Sequence, residues 1–241
     1  MHDIIPLIVK LFNEKNSKLP KEFVDYWIHG EHLLVNNQKM SKSLNNFYTL
    51  RDLEKQGFNP LSFRLMVMDS YYRNKLDFNL ENLKKYEKLL AKIDLSIKAL
   101  NKVEKYEEKE DSYSGIQTKK RVDSELEVFK EAVNNDLNTH EALQHFLSLL
   151  DLADEKTSKG KVDNKEFSII SNAISKMNSF LGIYLEYEIP NEIIALAEDR
   201  EKKREEKKFS DADLIREKIN EKGYFIADLS NTFVITKKYL D

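Results

Sequence analysis

The sequence contains no cysteine and is poor in glycine and proline, with six and four among its 241 residues. The absence of cysteine excludes disulfide bonds, a thiol nucleophile and any zinc site with sulfur ligands. Because helix-breaking residues are scarce, helices should dominate the fold. No apolar run approaches the roughly 20 residues that cross a membrane, and no basic segment precedes the first apolar stretch as in a secretory signal. We therefore expect a soluble cytoplasmic protein with no membrane partner.

An excess of charge of one sign is also lacking, because 39 basic and 42 acidic residues give a net charge of −3. A balanced chain has no general attraction to nucleic acid or membrane, so any contact with a polyanion must come from a local arrangement of Lys and Arg. The length corresponds to between one and two domains of about 150 residues each, which is enough to bury a hydrophobic core.

Residues 1–48 have a mixed pattern. The apolar stretch 4–12 is compatible with a helix or a buried strand, and aromatic spacing predicts a helix over 19–29 with Trp27 in the core. The next segment, HLLVNNQKM, predicts a β-hairpin, because the dipeptide at 36–37, Asn-Asn, tolerates the left-handed conformation of a tight turn.

Residues 49–79 should contain two short helices. Thr49 can cap the first, with Asp52 at the capping-box position three residues later. Gly57 can end this helix, and Pro60 suits the first turn of the next. These turn signals predict a helical pair directly after the hairpin.

Residues 80–185 form the helical middle of the chain. Apolar residues recur there at helical spacing in four stretches, namely 83–100, 126–133, 143–153 and 167–181. Stripes of this kind are costly when exposed, so the helices should pack on one another as a bundle. The stretch 105–120 is polar and is predicted to be a flexible connection.

Residues 190–241 begin with a charged helix from 190 to about 208. A second helix should run from Ser210, a good N-cap, to residue 221, and Gly223 can end it. The segment YFIADLSNTFVI then predicts two short strands around a Leu-Ser-Asn turn. The C-terminal part is therefore predicted to be a small α+β module.

The residues with the clearest chemistry are Lys39, Met40, Ser41, Lys42 and Ser43, which follow the predicted hairpin. Lysine ammonium groups act as mobile point charges on phosphate oxygens, and serine hydroxyls add hydrogen-bond donors. Donors aimed at a departing pyrophosphate lower the barrier to adenylate formation. A lone K-x-x-K is more often an exposed polar loop, but the complete pentapeptide after a hairpin predicts an ATP-binding loop.

The pentapeptide KMSKS is the second active-site motif of class I aminoacyl-tRNA synthetases, and the segment WIHGEHLLVNNQKMSKSLNNFYTLRDL resembles the cysteinyl-tRNA synthetase family around it. YYRNKLDFNLENL is similar to the family's stem-contact segment. NNDLNTHEAL is similar to its D-D-L-N-T-P-E-A-L stretch, from which Asn135 and His140 depart. The family pattern R-x-x-K-D-[FW]-x-x-A-D-x-I-R is matched at Arg204, Phe209, Ala212, Asp213, Ile215 and Arg216. The four motifs occur in the family's order from about residue 20 to the C-terminus.

This resemblance implies a mainly α fold. Its parts are the tail of a class I α/β catalytic domain over 1–48, a stem-contact helical segment over 49–79, a DALR-type helical bundle over 80–185 and an anticodon-binding α+β module over 190–241. It also implies ATP with Mg²⁺ as substrate, tRNA(Cys) as partner, and Lys39 and Lys42 as catalytic residues. Arg204, Asp213 and Asp228 match positions that read anticodon bases, and their chemistry fits a G-C-A anticodon.

Two features of the family are absent. The sequence has no H-x-G-H motif of the nucleotide-binding half and none of the cysteines of the family's zinc site, which uses two Cys, one His and one Glu. The five histidines, including His2, His29 and His32, are scattered, so we expect no metal site here, although zinc is expected for the full family enzyme. The chain thus resembles the C-terminal half of a cysteinyl-tRNA synthetase, and alone it should not form cysteinyl-adenylate.

Two interpretations of the function follow. The chain is either a part of cysteine–tRNA ligase that works with a separate N-terminal catalytic half, or a non-catalytic tRNA-binding remnant or truncated paralogue. The charged helix also has two interpretations, since residues 198–208 include six basic and five acidic side chains. It is either a solvated face with ion pairs or a surface on which Arg200, Lys203 and Lys207 contact an RNA backbone. Asp213 is likewise a surface charge or a base contact.

Overall fold

The computed structural model describes residues 27–107, 113–230 and 232–238. Within these residues the chain forms eight helices and seven short strands, which confirms the mainly helical class. None of these helices is long and apolar enough to cross a membrane. The element predicted over 4–12, most of the helix predicted over 19–29, and His2 lie outside the described residues. Trp27, predicted to be buried, is half exposed and stacks on His29 with 5.9 Å between ring centroids.

The N-terminal part forms a three-stranded sheet of β1 (Leu33–Val35), β2 (Gln38–Lys39) and β3 (Leu76–Phe78). β1 pairs antiparallel with β2 and parallel with β3. The predicted hairpin is confirmed, because Asn36 and Asn37 have left-handed φ values of 50° and 59°. The Asn37 N–H donates to Asp77 Oδ1 at 2.6 Å, which attaches the turn to β3.

Two short helices follow, α1 (Leu50–Lys55) and α2 (Pro60–Met68). The predicted capping box is confirmed, because the Thr49 hydroxyl accepts from the Asp52 N–H at 3.2 Å and the Asp52 carboxylate accepts from the Thr49 N–H at 2.9 Å. Gly57 lies just after α1 with φ of +88°, and Pro60 occupies the first turn of α2 as predicted. Local turn chemistry therefore sets both helix starts.

The sheet and these two helices share one small hydrophobic core. Its buried residues are Val35, Leu53, Phe58, Met66, Phe78 and Leu83. Met40 packs against this core and is half-buried. Because the core draws on residues before and after position 48, the hairpin and the helical pair form one packed unit.

The helices of the middle part are α3 (Leu80–Lys102), α4 (Tyr113–Asn134), α5 (Thr139–Thr157) and α6 (Asn164–Leu181). The predicted apolar stripes lie in one continuous core, which includes Phe129, Phe146 and Ile170. Two strands absent from the sequence prediction, β4 (Glu104–Tyr106) and β5 (Lys161–Asp163), pair in parallel. The bundle is therefore confirmed as a structure, with a small strand pair added.

The flexible connection predicted over 105–120 is wrong for its second half, which belongs to α4. Polar residues are helical there because buried partners satisfy them. The Ser114 and Thr118 hydroxyls donate to the Glu166 carboxylate of α6 at 2.9 and 2.7 Å, and the Lys156 ammonium group of α5 donates to it at 2.7 Å. As a result α4 is 22 residues long, where a shorter helix was expected.

The C-terminal module contains α7 (Asn191–Glu205), α8 (Phe209–Glu221), β6 (Tyr224–Asp228) and β7 (Phe233–Lys237). β6 and β7 form the predicted antiparallel hairpin. α7 ends at Glu205 rather than near 208, because Lys207 has φ of +60° and turns the chain. α8 begins one residue before the predicted cap Ser210, with Lys208 in the cap position and no side-chain cap bond.

Tyr187 joins this module to the bundle. Its hydroxyl donates to Asp94 Oδ2 of α3 at 2.5 Å and accepts from the Lys237 N–H of β7 at 2.7 Å. Lys98 of α3 donates to the Ile235 carbonyl of β7 at 3.1 Å, and its ammonium group lies 3.7 Å from the centre of the Tyr187 ring. The C-terminal hairpin is therefore attached directly to α3.

Candidate functional site

The predicted ATP-binding loop begins with Lys39 at the end of β2, and its other four residues lie in a short closed turn after this strand. The Asn46 side chain closes it, because its amide donates to the Lys39 carbonyl at 3.1 Å and its oxygen accepts from the Ser41 N–H at 2.8 Å. Within the turn, Ser41 Oγ accepts from the Leu44 N–H at 3.2 Å and lies 3.1 Å from Ser43 Oγ. The loop is thus folded by its own side chains, with two hydroxyls next to each other.

Both lysines of the loop are exposed, whereas Met40 between them is half-buried against the small core. The Lys42 ammonium group lies 5.8 Å from the centre of the Phe47 ring. Met40 therefore anchors the loop while Lys39 and Lys42 remain in contact with solvent. This arrangement offers two mobile positive charges and two hydroxyl groups to a phosphate chain.

A second polar cluster joins the segment after α2 to the turn between α4 and α5. Asp136 accepts hydrogen bonds from the Tyr71 hydroxyl, from the Tyr72 hydroxyl at 2.7 Å, and from Arg73 Nε and Nη2 at 2.6 and 3.1 Å. The hydrogen bonds from Arg73 and the two tyrosines hold the pKa of Asp136 well below its ordinary value. The hydrogen bond to Asp136 raises the pKa of Tyr71 and of Tyr72, since each hydroxyl donates to a carboxylate. Asp136 and Leu137 have left-handed φ values of 53°, which these contacts support.

His140, which departs from the family pattern, takes part in the same junction. Its Nδ1 lies 2.9 Å from Asp69 Oδ1, and the Tyr86 hydroxyl of α3 donates to Asp69 Oδ2 at 2.9 Å. Burial and the hydrogen bond to Asp69 raise the pKa of Tyr86 to about 12. A cavity of about 470 Å³ lies here, and it is lined by Asp69, Ser70, Tyr71, Asn74, Asn135, Asn138 and His140. The stem-contact and NNDLNTHEAL motifs, separate in sequence, therefore meet in space.

Two of the predicted anticodon residues, Arg204 and Asp228, form an ion pair in the C-terminal module. Asp228 receives Arg200 Nη1 and Nη2 at 2.7 and 2.9 Å, Arg204 Nη1 at 2.6 Å and Arg216 Nη2 at 2.9 Å. Burial would raise the pKa of Asp228, but hydrogen bonds from Arg200 and Arg204 outweigh this effect and hold the pKa below its ordinary value. The structure therefore places Arg204 and Asp228 in direct contact.

Arg200 is only 2% exposed, so the predicted contact of this residue with an RNA phosphate is wrong. Its guanidinium group is buried because Asp228 neutralises it from one side of the module. Arg204 and Arg216, at 36% and 37% exposure of the side chain, remain accessible. Of the three residues predicted to contact an RNA backbone, Arg200 is therefore not available at the surface.

Asp213 lies outside this cluster and is exposed on α8. Phe209 stands four residues before it and Arg216 three residues after it, so the three side chains share one face of the helix. Phe209 is 60% exposed. An exposed ring beside a carboxylate and a guanidinium group offers both stacking and hydrogen bonding to an unpaired base. Phe209 and Arg216 match the family pattern in the sequence but were not predicted to contact the anticodon. Their exposure on the same helix face as Asp213 makes them candidates for that contact.

The histidines do not form a metal centre in the part of the chain that the structure describes. No group of three or more His, Cys, Asp or Glu residues there could hold an ion. The His145 ring is hydrogen-bonded to Glu125, with 2.7 Å between Nδ1 and a carboxylate oxygen. The zinc that the family resemblance implies therefore does not fit these residues.

A family model described as "tRNA synthetases class I (C) catalytic domain" matches residues 12–88. This range contains the KMSKS loop, the stem-contact segment and the first turns of α3. The motifs placed only residues 1–48 in the catalytic domain, at the start of a chain that resembles the C-terminal half of a synthetase, whereas the match to the catalytic domain extends to residue 88.

Curated relatives with the name cysteine–tRNA ligase cover most of the chain. The relative from Chlamydia felis is 34% identical, and the alignment covers 89% of this chain and 45% of the relative. The relative from Prochlorococcus marinus (strain MIT 9301) is 33% identical, with 87% of this chain and 47% of the relative covered. The relative from Protochlamydia amoebophila is 30% identical, with 86% of this chain and 43% of the relative covered. The chain thus spans about half the length of the curated relatives it matches. From its motifs and these matches, the chain belongs to the cysteinyl-tRNA synthetase family of class I.

Proposed function

We propose that the chain is a part of cysteine–tRNA ligase that contributes the ATP loop and the tRNA contacts to ATP-dependent charging of tRNA(Cys). The observation that carries this proposal is the closed KMSKS loop, in which Asn46 and Met40 hold the backbone while Lys39 and Lys42 stay at the surface. The C-terminal cluster around Asp228 supplies a second surface, suited to RNA.

The loop is proposed to act on the triphosphate of ATP, which enters with Mg²⁺ as substrate. The carboxylate of cysteine attacks the α-phosphate, and the bond from that phosphorus to the bridging oxygen of pyrophosphate breaks. The ammonium groups of Lys39 and Lys42 and the hydroxyls of Ser41 and Ser43 stabilise the charge that develops on the departing pyrophosphate. Because hydrogen bonds to Asn46 already close the loop, less order has to be gained when ATP binds.

The C-terminal module is proposed to recognise the anticodon through Arg204, Asp213 and Asp228. A guanidinium group donates to the edge of guanine, and a carboxylate accepts from the amino group of cytosine. The exposed ring of Phe209 gives an unpaired base a surface on which to stack. This chemistry fits the G-C-A anticodon of tRNA(Cys).

The RNA part of the proposal is tested by titrating the full chain with a tRNA(Cys) transcript and with the same transcript carrying a changed anticodon, each at two salt concentrations. We expect the G-C-A transcript to bind about tenfold more tightly and both affinities to fall as salt rises. Equal affinities for the two transcripts at both salt concentrations would contradict anticodon recognition.

A tRNA-binding protein without catalysis is the second candidate function. The lack of cysteine in the sequence and of a metal-ligand group among the described residues favours it. The two candidates differ in cysteine-dependent ATP–pyrophosphate exchange, measured on the chain mixed with the H-I-G-H-containing half of a relative. Exchange that requires the chain supports the ligase, whereas tRNA binding with no exchange supports the second candidate.

A further inference from the structure

The Asp228 carboxylate is shared by three guanidinium groups from two helices. Arg200 and Arg204 belong to α7 and Arg216 to α8, and all three reach the end of β6. Glu201 also lies 3.7 Å from Arg200, so two carboxylates face three guanidinium groups and the cluster keeps a surplus of positive charge. This surplus stands out in a chain whose net charge is −3.

The three arginines differ in access to solvent. Arg200 is 2% exposed, and its Nε has no hydrogen-bond partner in the part of the chain that the structure describes. A buried guanidinium group is costly unless a carboxylate faces it, and Arg200 meets both oxygens of Asp228 in a bidentate pair. Arg204 and Arg216 meet Asp228 Oδ2 from the exposed side.

We propose that Arg200 is a positioning residue for RNA recognition, which fixes the Asp228 carboxylate so that this carboxylate orients Arg204 and Arg216 at the surface. The proposal rests on the proposed function of the module. All three arginines meet Asp228 Oδ2, whereas Oδ1 accepts from Arg200 alone, so Oδ2 is the atom through which Asp228 orients Arg204 and Arg216. Arg216 thereby joins Arg204 in the contact with RNA.

Variants that break the bidentate pair between Arg200 and Asp228 should lose the preference for the G-C-A transcript. Arg200→Lys keeps the buried charge, but an ammonium group cannot form two parallel hydrogen bonds to one carboxylate. We expect Arg200→Lys and Asp228→Asn each to reduce the preference for the G-C-A transcript about tenfold. Lys202→Met, which removes an exposed charge from the same helix, serves as the matched control and should leave the preference unchanged.

Two further readouts separate positioning from a merely structural role. Arg200 makes no phosphate contact, so Arg200→Lys should leave the slope of affinity against salt concentration as in the wild type. If Arg200 acts through Asp228, the double variant should lose no more preference than either single variant, because both changes break the same chain of contacts. Circular dichroism and thermal melting establish that each variant is folded, and Asp228→Asn carries the test if Arg200→Lys does not fold.

The outcomes distinguish the inference from the function on which it rests. A wild-type chain that does not prefer the G-C-A transcript overturns the proposed function. A wild-type chain with that preference, together with folded Arg200→Lys or Asp228→Asn variants that retain it, overturns the positioning role alone. Additive losses in the double variant also overturn it.

Discussion

Lys42 is the residue whose removal tests the ATP loop most directly. It is exposed in a loop that its neighbours hold closed, so Lys42→Ala should leave the loop folded and remove one charge from the phosphates. In the proposed exchange assay, with the chain mixed with the H-I-G-H-containing half of a relative, we expect ATP–pyrophosphate exchange to slow about 100-fold, with the KM for cysteine unchanged. Lys55→Ala, which removes an exposed charge from α1, is the matched control. An unchanged exchange rate for Lys42→Ala would remove the loop from the mechanism.

Asp136 can be tested by spectroscopy, without any ligand. Its carboxylate raises the pKa of Tyr71 and Tyr72, because a phenol that donates to a negative charge gives up its proton less readily. Asp136→Asn should therefore shift the ionisation of two tyrosines to lower pH, near the ordinary value of about 10. The measurement is an alkaline titration followed by near-ultraviolet absorbance. Asp151→Asn, at a surface carboxylate paired with Lys92, should give the wild-type curve.

The Glu166 network ties α4, α5 and α6 together, and its effect on stability depends on pH. Burial would raise the pKa of Glu166, but hydrogen bonds from Lys156, Thr118 and Ser114 outweigh it, so the pKa is lowered. A lowered folded-state pKa means that the stabilisation is complete above the ordinary value of about 4.3 and is lost as pH falls through the folded-state value.

Glu166→Gln should accordingly lower the free energy of unfolding at pH 7 by about 1–3 kcal/mol and flatten its decline in acid. The measurement is urea unfolding at pH 7 and at a pH below 4. Glu127→Gln removes an exposed carboxylate from α4 and should change stability by less than about 0.5 kcal/mol. If the free energy of unfolding falls equally with pH in the wild type and in Glu166→Gln, the stability of the network does not depend on protonation of Glu166.

At the level of elements, the sequence predicted features that neighbouring residues determine. The turn at Asn36 and Asn37, the capping box at Thr49 and the apolar stripes of the bundle depend on local spacing, and the structure has them. The pairing of β1 with β3, the polar start of α4 and the burial of Arg200 depend on partners far along the chain. No periodicity or motif records such contacts, which is why the KMSKS loop was recognised and the arginine cluster was not.

At the scale of the whole molecule, Tyr187 connects the bundle to the C-terminal module through hydrogen bonds to both. Tyr187→Phe removes the hydrogen bonds to buried Asp94 and to the Lys237 N–H, and leaving a buried carboxylate short of a donor costs about 1–3 kcal/mol. We expect faster hydrogen exchange in β7, with α5 and α6 unchanged. Tyr113→Phe, at a 78% exposed position, is the control. Protection of β7 equal to that of the wild type would show that other contacts hold the module.

The chain leaves β1 after Val35, adds β2 to one side of the sheet, and returns on the other side of β1 at Leu76, which pairs with Leu33. Adjacent strands lie about 4.8 Å apart, so the excursion that carries the KMSKS loop, α1 and α2 begins and ends at nearly the same place. It contributes Leu53, Phe58 and Met66 to the small core. Its last part docks on the bundle, because Leu65 is buried in the bundle core and Arg73 pairs with Asp136. Residues 36–75 therefore form a cassette whose two ends are close together and whose α2 end needs matching partners in the bundle. A chimera that receives this cassette from the Chlamydia felis relative should fold around the same base and inherit the donor's loop as a unit.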